Sequence, residues 1–219
     1  MTRCPIFQTF RAAKLVSSEL NSLWEEIPKR LKNEAPDLFN KALNEDEDDI
    51  ITEETTGWAY LGATCLVPVS LREKGARGRA RDRKLSLRYD LYRELSDDHP
   101  VWKHASDALL VIGYWPSKDE YWGNEEMVVT AGGRLKDEAA WKGCKTNRQA
   151  DGRLLEWAEI AEGKNWSQRS WIFAVPIRSI RDPDSVGKQI VEPVINLLVK
   201  DKDPKVALSG TEAVTWSQT

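Results

Sequence analysis

Apolar residues recur at helical spacing near the start of the chain, on one stripe of a helix that is expected over residues 9–27. The stripe consists of Val16, Leu20, Leu23 and Ile27. Because Pro28 has no amide hydrogen to donate, it is expected to kink or end this helix. A short second helix is predicted from Pro36, since proline suits a first helical position, to about Leu43.

The next part of the chain alternates between two faces, as a β-strand does. Every odd position from Ala59 to Leu71 is apolar, which is one face of a strand. Pro68 cannot donate to a ladder, so a bulge or a sheet edge is expected there. Residues 85–92 alternate again, and the simplest connection between the two strands is a long antiparallel hairpin.

Continuous apolar runs predict further strands that are buried on both faces. Residues 107–115 and 170–177 are such runs, and residues 126–131 indicate another strand before a Gly132-Gly133 turn.

Two more helices are predicted in the second half of the chain. Asp151 is expected to cap a helix that runs to about Glu162, and Asp184 or Ser185 is expected to cap a final helix. Pro193 should bend the final helix. The inward stripes are Leu154, Trp157, Ala158 and Ala161 in the first of these helices, and Val186, Ile190, Val191, Val194, Ile195 and Leu198 in the second.

This order of elements predicts an α+β fold. We expect a mostly antiparallel sheet of about five strands with a long basic-tipped hairpin, and N-terminal helices and a C-terminal helix packed on it. Residues 1–199 are expected to form a single domain that carries an acidic loop at 45–54 and a basic finger at 72–84. Residues 200–219 are expected to be a polar, loosely held C-terminal tail.

Composition narrows the class of protein. Of the 219 residues 41% are apolar and 31% are charged, which is enough apolar material for a sizeable core. Most of the ten tryptophans are expected to be buried in that core. The longest unbroken apolar stretch, 108–115, is too short to span a bilayer. Cys4, Cys65 and Cys144 are widely spaced, so we expect free thiols, a cytoplasmic location and no membrane association.

The net charge is only −3, but acidic and basic residues are concentrated in two separate segments, which makes the chain bipolar. The acidic loop carries seven acids and no base, whereas the basic finger carries seven bases and two acids. Within the finger, arginine alternates with small or acidic residues from Arg77 to Arg83. A row of arginines on one strand face can approach a polyanion closely, because each guanidinium pairs two phosphate oxygens.

Aromatic residues bracket a polar turn at residues 114–122, and such rings stack on bases, anchor a protein partner or pin the loop to the core. The residues that we expect to contact nucleic acid are Arg72, Lys74, Arg77, Arg79, Arg81, Arg83, Lys84, Trp115 and Trp122.

Signatures of enzymatic chemistry are weak. Gly187-Lys188 lacks the upstream glycine and the following Ser or Thr of a Walker loop, and the chain has neither GxSxG nor HExxH. His99 and His104 are five residues apart in a turn-like context, which does not favour a metal site. The expectation is therefore no cofactor, no metal and no catalytic residue.

The sequence favours a nucleic-acid-binding protein, a non-catalytic subunit of a larger nucleoprotein assembly, with DNA and RNA both open. One alternative is an assembly or adaptor subunit that uses its bipolar charge for protein contacts or self-association. A second alternative is a metal-dependent nuclease with carboxylates around Asp90, Glu94 and Asp107.

Overall fold

The structure is a computed structural model. It describes residues 5–39, 52–56, 59–69, 83–90, 108–116, 144–146, 151–157 and 165–215. The predicted strand at 126–131 and the Gly132-Gly133 turn lie outside these residues.

A long N-terminal helix, α1 (Pro5–Glu34), runs through Pro28 and does not end there. An interior proline costs a helix about 3 kcal/mol or more. The stripe Leu20, Trp24, Ile27 and Leu31 is buried on both sides of the proline. Each buried aliphatic side chain contributes roughly 1.5–3 kcal/mol, so this burial offsets the cost of the proline and the helix continues. Of the two predictions for Pro28, a kink or an end of the helix, the end is therefore wrong.

The second helix, α2 (Pro36–Phe39), begins at the predicted proline. Only Ala35 separates it from α1, and the Ala35 carbonyl accepts from the amide of Phe39 at 3.1 Å. Phe39 is fully buried and joins the same core as α1. The predicted continuation to Leu43 lies outside the described residues.

The described strands form one antiparallel sheet in the order β1-β2-β3-β4-β7-β6-β5. Five strands have five or more residues and two have three, which agrees with the expected size of the sheet. Their bounds are β1 (Thr52–Thr56), β2 (Ala59–Val69), β3 (Arg83–Asp90), β4 (Leu109–Trp115), β5 (Cys144–Thr146), β6 (Leu155–Trp157) and β7 (Trp171–Pro176).

The end of the predicted acidic loop belongs to the sheet. Thr52 pairs with Thr64 and Glu54 with Gly62, and the register shifts after Glu54. An edge strand needs only backbone pairing with one neighbour, so its polar sequence carries no apolar alternation that would reveal it. The prediction of a loop over 45–54 was wrong for residues 52–54.

Pro68 lies in β2 without a bulge, because β2 and β3 pair in unbroken register from Gly62 to Val69. The described pairing of β1 with β2 reaches only Thr64. Within the described strands, Pro68 therefore has a ladder partner on the β3 side alone. This is the edge position that its missing donor predicts.

One sheet face packs on the helices, and the two central strands are buried on both faces. The core face includes Leu85, Leu87, Ile112 and Phe173, each fully buried with α1 and the C-terminal helices. On the other face, Leu109, Val111, Ile172 and Ala174 are also buried. Burial on both faces explains the continuous apolar runs of β4 and β7.

The helix predicted from Asp151 to Glu162 is wrong, since β6 occupies Leu155–Trp157. Asp151 and Gly152 both have positive φ, 52° and 74°, which an α-helix excludes. An Asp-Gly pair with φ positive at both positions is typical of a hairpin turn. The apolar spacing in this region indicated a helix. The strand has only three residues, too few to distinguish the two-residue period of a strand from the 3.6-residue period of a helix.

The C-terminal helical segment, residues 183–198, contains α3 (Pro183–Val186), a π-helical turn (Gly187–Val191) and α4 (Glu192–Leu198). Asp182 is its N-cap, not Asp184 or Ser185, because Pro183 takes the first helical position. The predicted inward stripe is buried throughout. The π-helical turn ends two residues before Pro193, the residue at which a bend was predicted. The Glu192 amide donates to the Gly187 carbonyl at its end.

Residues after the C-terminal helical segment are held firmly, so the loosely held tail is wrong for residues 200–215. Helix α5 (Pro204–Ala207) follows an Asp203 N-cap, and Leu208 is fully buried. The chain then returns to the sheet, where the Val214 amide donates to the Ala174 carbonyl at 2.9 Å. The burial of Pro204, Ala207 and Leu208 fixes this segment to the core.

These elements are a mix of helices and antiparallel strands, which confirms the α+β class. Among the described helices, none combines the length and the apolar character that a bilayer crossing requires.

Candidate nucleic-acid interface

Three of the nine predicted nucleic-acid contacts lie within described strands. Arg83 and Lys84 begin β3, and Trp115 ends β4. The others, Arg72, Lys74, Arg77, Arg79, Arg81 and Trp122, lie outside the described residues.

The two strands that flank the basic finger are paired up to their ends. Val69, the last residue of β2, lies opposite Arg83, the first residue of β3. Residues 70–82 therefore link the adjacent ends of two antiparallel strands. The base of this hairpin is apolar, because Val67, Leu85 and Leu87 are buried.

The register of the sheet brings two predicted contacts side by side. Lys84 lies directly opposite Trp115 on β4, and on its other side it lies opposite Pro68. Directly opposed residues of an antiparallel pair have Cα atoms about 4.5–5.5 Å apart. The end of the basic finger and the start of the aromatic loop thus meet at one end of the sheet.

Tyr114, the first aromatic residue of the 114–122 loop, belongs to the core. It is fully buried, and its hydroxyl donates to the Ser167 carbonyl at 2.8 Å. Its ring lies 5.5 Å from that of Trp171. At this position the ring anchors the loop to the core, one of the three roles that the sequence left open.

A cation and a ring that the sequence did not single out lie in the turn before β7. The Arg169 guanidinium lies 4.6 Å from the centroid of the Trp166 ring. Glu156 on β6 forms an ion pair with Arg169 at 3.6 Å. The spacing of Trp166 and Arg169 in one short turn was the available signal. Since Glu156 compensates the charge of Arg169, this cluster serves packing.

The carboxylates of the nuclease alternative are only partly within the structure. Asp90 ends β3 opposite Leu109, while Glu94 and Asp107 lie outside the described residues. Six residues separate Asp90 from Lys84 on β3, which is about 20 Å along a strand. Asp90 and the Lys84–Trp115 pair therefore belong to opposite ends of the sheet. The described ranges contain no group of three or more potential metal ligands.

Comparison with known proteins adds no relative. The chain matches no protein-family model, no curated protein and no solved structure.

Proposed function

We propose that this chain is a nucleic-acid-binding protein that contacts phosphates through the basic finger, residues 72–84. The observation that supports it best is the register that sets Lys84 opposite Trp115 where the finger joins the sheet. A cation beside an aromatic residue is the pair of groups with which proteins hold a nucleotide's phosphate and base.

The spacing of the arginines fits a polyanion. Arg77, Arg79, Arg81 and Arg83 lie at two-residue intervals, so a regular strand carries them over about 20 Å on one face. By the same alternation Arg83 shares the face of Leu85 and Leu87, which are buried at the base of the hairpin. In this proposal the arginines continue that face beyond the part of the hairpin that the core covers.

In this proposal the chain is a non-catalytic subunit of a cytoplasmic nucleoprotein assembly. Strong binding through phosphates alone carries no sequence information, so partners in the assembly supply the specificity. The three widely spaced cysteines fit a reducing compartment.

The test is fluorescence anisotropy with labelled single-stranded DNA, duplex DNA and RNA over a salt series. The variant carries Arg77→Ala, Arg79→Ala, Arg81→Ala and Arg83→Ala. We expect wild type to bind and the variant to lose affinity, with a salt slope shallower by about 3 to 4.

The matched control removes four exposed cations elsewhere: Lys29→Ala, Lys188→Ala, Lys200→Ala and Lys202→Ala. It has the same net charge as the four-arginine variant, and its slope should stay close to that of wild type. Equal losses in both variants mean that only net charge matters. Absence of binding to all three probes overturns the proposal.

A further inference from the structure

A short segment after α5, residues 211–215, lies along the edge of β7, and we call it the arm. In the described strands, β6 pairs with β7 at Trp171 and Ile172. Ala174 is two residues further along β7, so its backbone groups point to the same side as those of Ile172. Its carbonyl accepts from the Val214 amide at 2.9 Å. The arm therefore takes the place of a further strand at this edge.

The bonds that hold the arm come from its main chain. The Glu212 amide donates to Gln189 Oε1 at 2.7 Å, and the Val214 amide donates to β7. These two amides are two residues apart, so they point to the same side of an extended segment. The amide between them, that of Ala213, donates to the Thr211 hydroxyl within the arm at 3.3 Å. Every residue except proline carries an amide hydrogen, so another extended segment can form the same two bonds.

The groove that receives the arm belongs to the folded core. Gln189 is only 4% exposed and lies on the π-helical turn, a departure from α geometry that is frequent at functional sites. A buried amide oxygen is costly to leave unpaired, so the groove favours an occupant that donates to it. Ala213 packs against the core between the two bonds. The groove therefore accepts an extended segment with a small apolar residue between two inward-pointing amides.

The arm can leave this groove without unfolding the residues before it. Its side chains are half-buried or exposed, whereas Leu208, three residues before the arm, is fully buried. Gly210 lies between them with φ 77°, a region that glycine enters and leaves without strain. The chain is thus anchored at Leu208 and can turn at Gly210, and release of the arm exposes little apolar surface.

We propose that the groove formed by Gln189 and the β7 edge binds the arm of a second copy of this chain, so that neighbouring copies exchange arms. A second copy is the partner because its arm has the amide spacing and the small residue that this groove already accepts. Exchange keeps the same bonds and changes only which copy supplies the arm. This goes beyond the proposed nucleic-acid binding, since it identifies a contact between subunits.

A chain's own arm competes with the arm of a second copy. A short linker gives the chain's own arm an effective concentration in the millimolar range. Exchange between freely diffusing copies should therefore be weak. Copies held side by side in an assembly reach such local concentrations, and exchange is favoured there.

The first experiment measures the anisotropy of a labelled peptide of residues 209–215 while the full chain is added up to millimolar concentration. We expect binding, and about 2- to 13-fold weaker binding of a peptide N-methylated at Val214, which has lost one main-chain bond. A peptide N-methylated at Ala213, whose amide bonds within the arm, is the control and should bind like the unmodified one. Absence of binding, or equal affinity of the three peptides, overturns the proposal.

The second experiment disables the arm of the chain itself. Val214→Pro removes the amide that bonds to β7, so its groove is freed and should bind the unmodified peptide more tightly, by up to about the same factor. Thr215→Pro keeps that amide and favours an extended residue before it, so it should match wild type. Unchanged affinity in Val214→Pro overturns the proposal. If this variant fails to fold, the N-methylated peptides still decide the question with wild type.

Sedimentation velocity tests whether copies are the partners. The average mass of the full chain should rise towards millimolar concentration and fall again with excess unlabelled peptide. A constant mass, or a rise that the peptide does not reverse, overturns exchange between copies. Nucleic-acid binding is measured separately, so a chain that exchanges arms but binds no nucleic acid overturns the proposed function alone.

Discussion

The backbone amide of Trp166 donates to the Asp201 carboxylate at 2.7 Å, and this bond joins the turn before β7 to the loop after α4. Asp201 adopts φ 47°, in the left-handed region that follows many helix ends. Just before it, the amides of Val199 and Lys200 both donate to the Ile195 carbonyl. Asp201 therefore helps to end the C-terminal helical segment. Through its bond to Trp166 it also positions the turn that leads into β7, the strand that pairs with β4.

Substitutions at Asp201 should separate these two roles. Asp201→Asn keeps an acceptor and tolerates positive φ, so its Tm should lie close to wild type. Asp201→Gly loses the acceptor but relaxes the backbone, and Asp201→Ala loses both, at a cost of about 1–3 kcal/mol. Thermal unfolding should rank them Asn, Gly, Ala. Equal values for Gly and Ala would exclude a contribution from the positive φ.

The burial of Leu208 predicts that residues after α4 are part of the cooperative structure. Leu208→Ala should lower the free energy of unfolding by about 2–5 kcal/mol, because Leu208 is fully buried. Val206, two residues earlier, is 52% exposed, and Val206→Ala should change it by less than about 0.5 kcal/mol. Urea unfolding of the two variants checks this. A small effect in both would mean that this segment detaches before the fold melts.

The capping box at the start of α3 predicts a dependence on pH. The Ser185 amide donates to the Asp182 carboxylate at 2.7 Å, and the Asp182 amide donates to the Ser185 hydroxyl at 3.0 Å. The Ser185 backbone bond, followed by that residue's side-chain bond, lowers the pKa of Asp182. Asp182→Ala should lower Tm by about 2–4 °C near neutral pH.

The sign of the pH effect follows from the direction of the shift. A folded-state pKa below the unfolded one adds stability above the unfolded pKa, and this stability is lost as pH falls through the folded value. The Tm difference between wild type and Asp182→Asn should therefore shrink below about pH 4. Glu192→Gln, which removes an exposed acid from the same helical segment, is the control. A difference that persists in acid would contradict the role of the charge.

Tyr114→Phe should test whether the tyrosine hydroxyl stabilises the fold. The ring keeps its packing against Trp171 while the bond to the Ser167 carbonyl is lost, so we expect a loss of about 0.5–1.5 kcal/mol. Tyr114→Ala should cost about 3–5 kcal/mol, as for other large aromatic side chains. Affinity for nucleic acid should not change in Tyr114→Phe, since this ring is buried in the core. A lost affinity in this variant would contradict the anchoring role of the ring.

The longer strands were predictable because their patterns are local. Alternation identified β2 and β3, and unbroken apolar runs identified β4 and β7, which are buried on both faces. The turn at Asp151-Gly152 was missed, although an Asp-Gly dipeptide itself signals a turn. A three-residue strand carries too few positions for its alternation to outweigh a helix-like spacing.

The candidate interface shows where prediction from sequence stops. The alternating arginines are a local pattern, and the sequence was sufficient to propose them. The pairing of Lys84 with Trp115 depends on which strands become neighbours and on the register between them. Neither the strand order nor the register can be inferred from the sequence of one strand alone. The burial of Tyr114 likewise depends on Trp171 and Ser167, more than fifty residues further along the chain.

The pairing of β4 with β7 also means that, during synthesis, β4 waits for its partner strand. Gly113 lies opposite Ile172, so β4 emerges long before its partner exists. At ribosomal rates of about 5–20 residues per second, that interval lasts roughly 3 to 12 s. During this time an apolar strand destined for burial on both faces has only β3 beside it. We therefore expect nascent chains halted between these strands to be bound by chaperones, and release of β7 to end that binding.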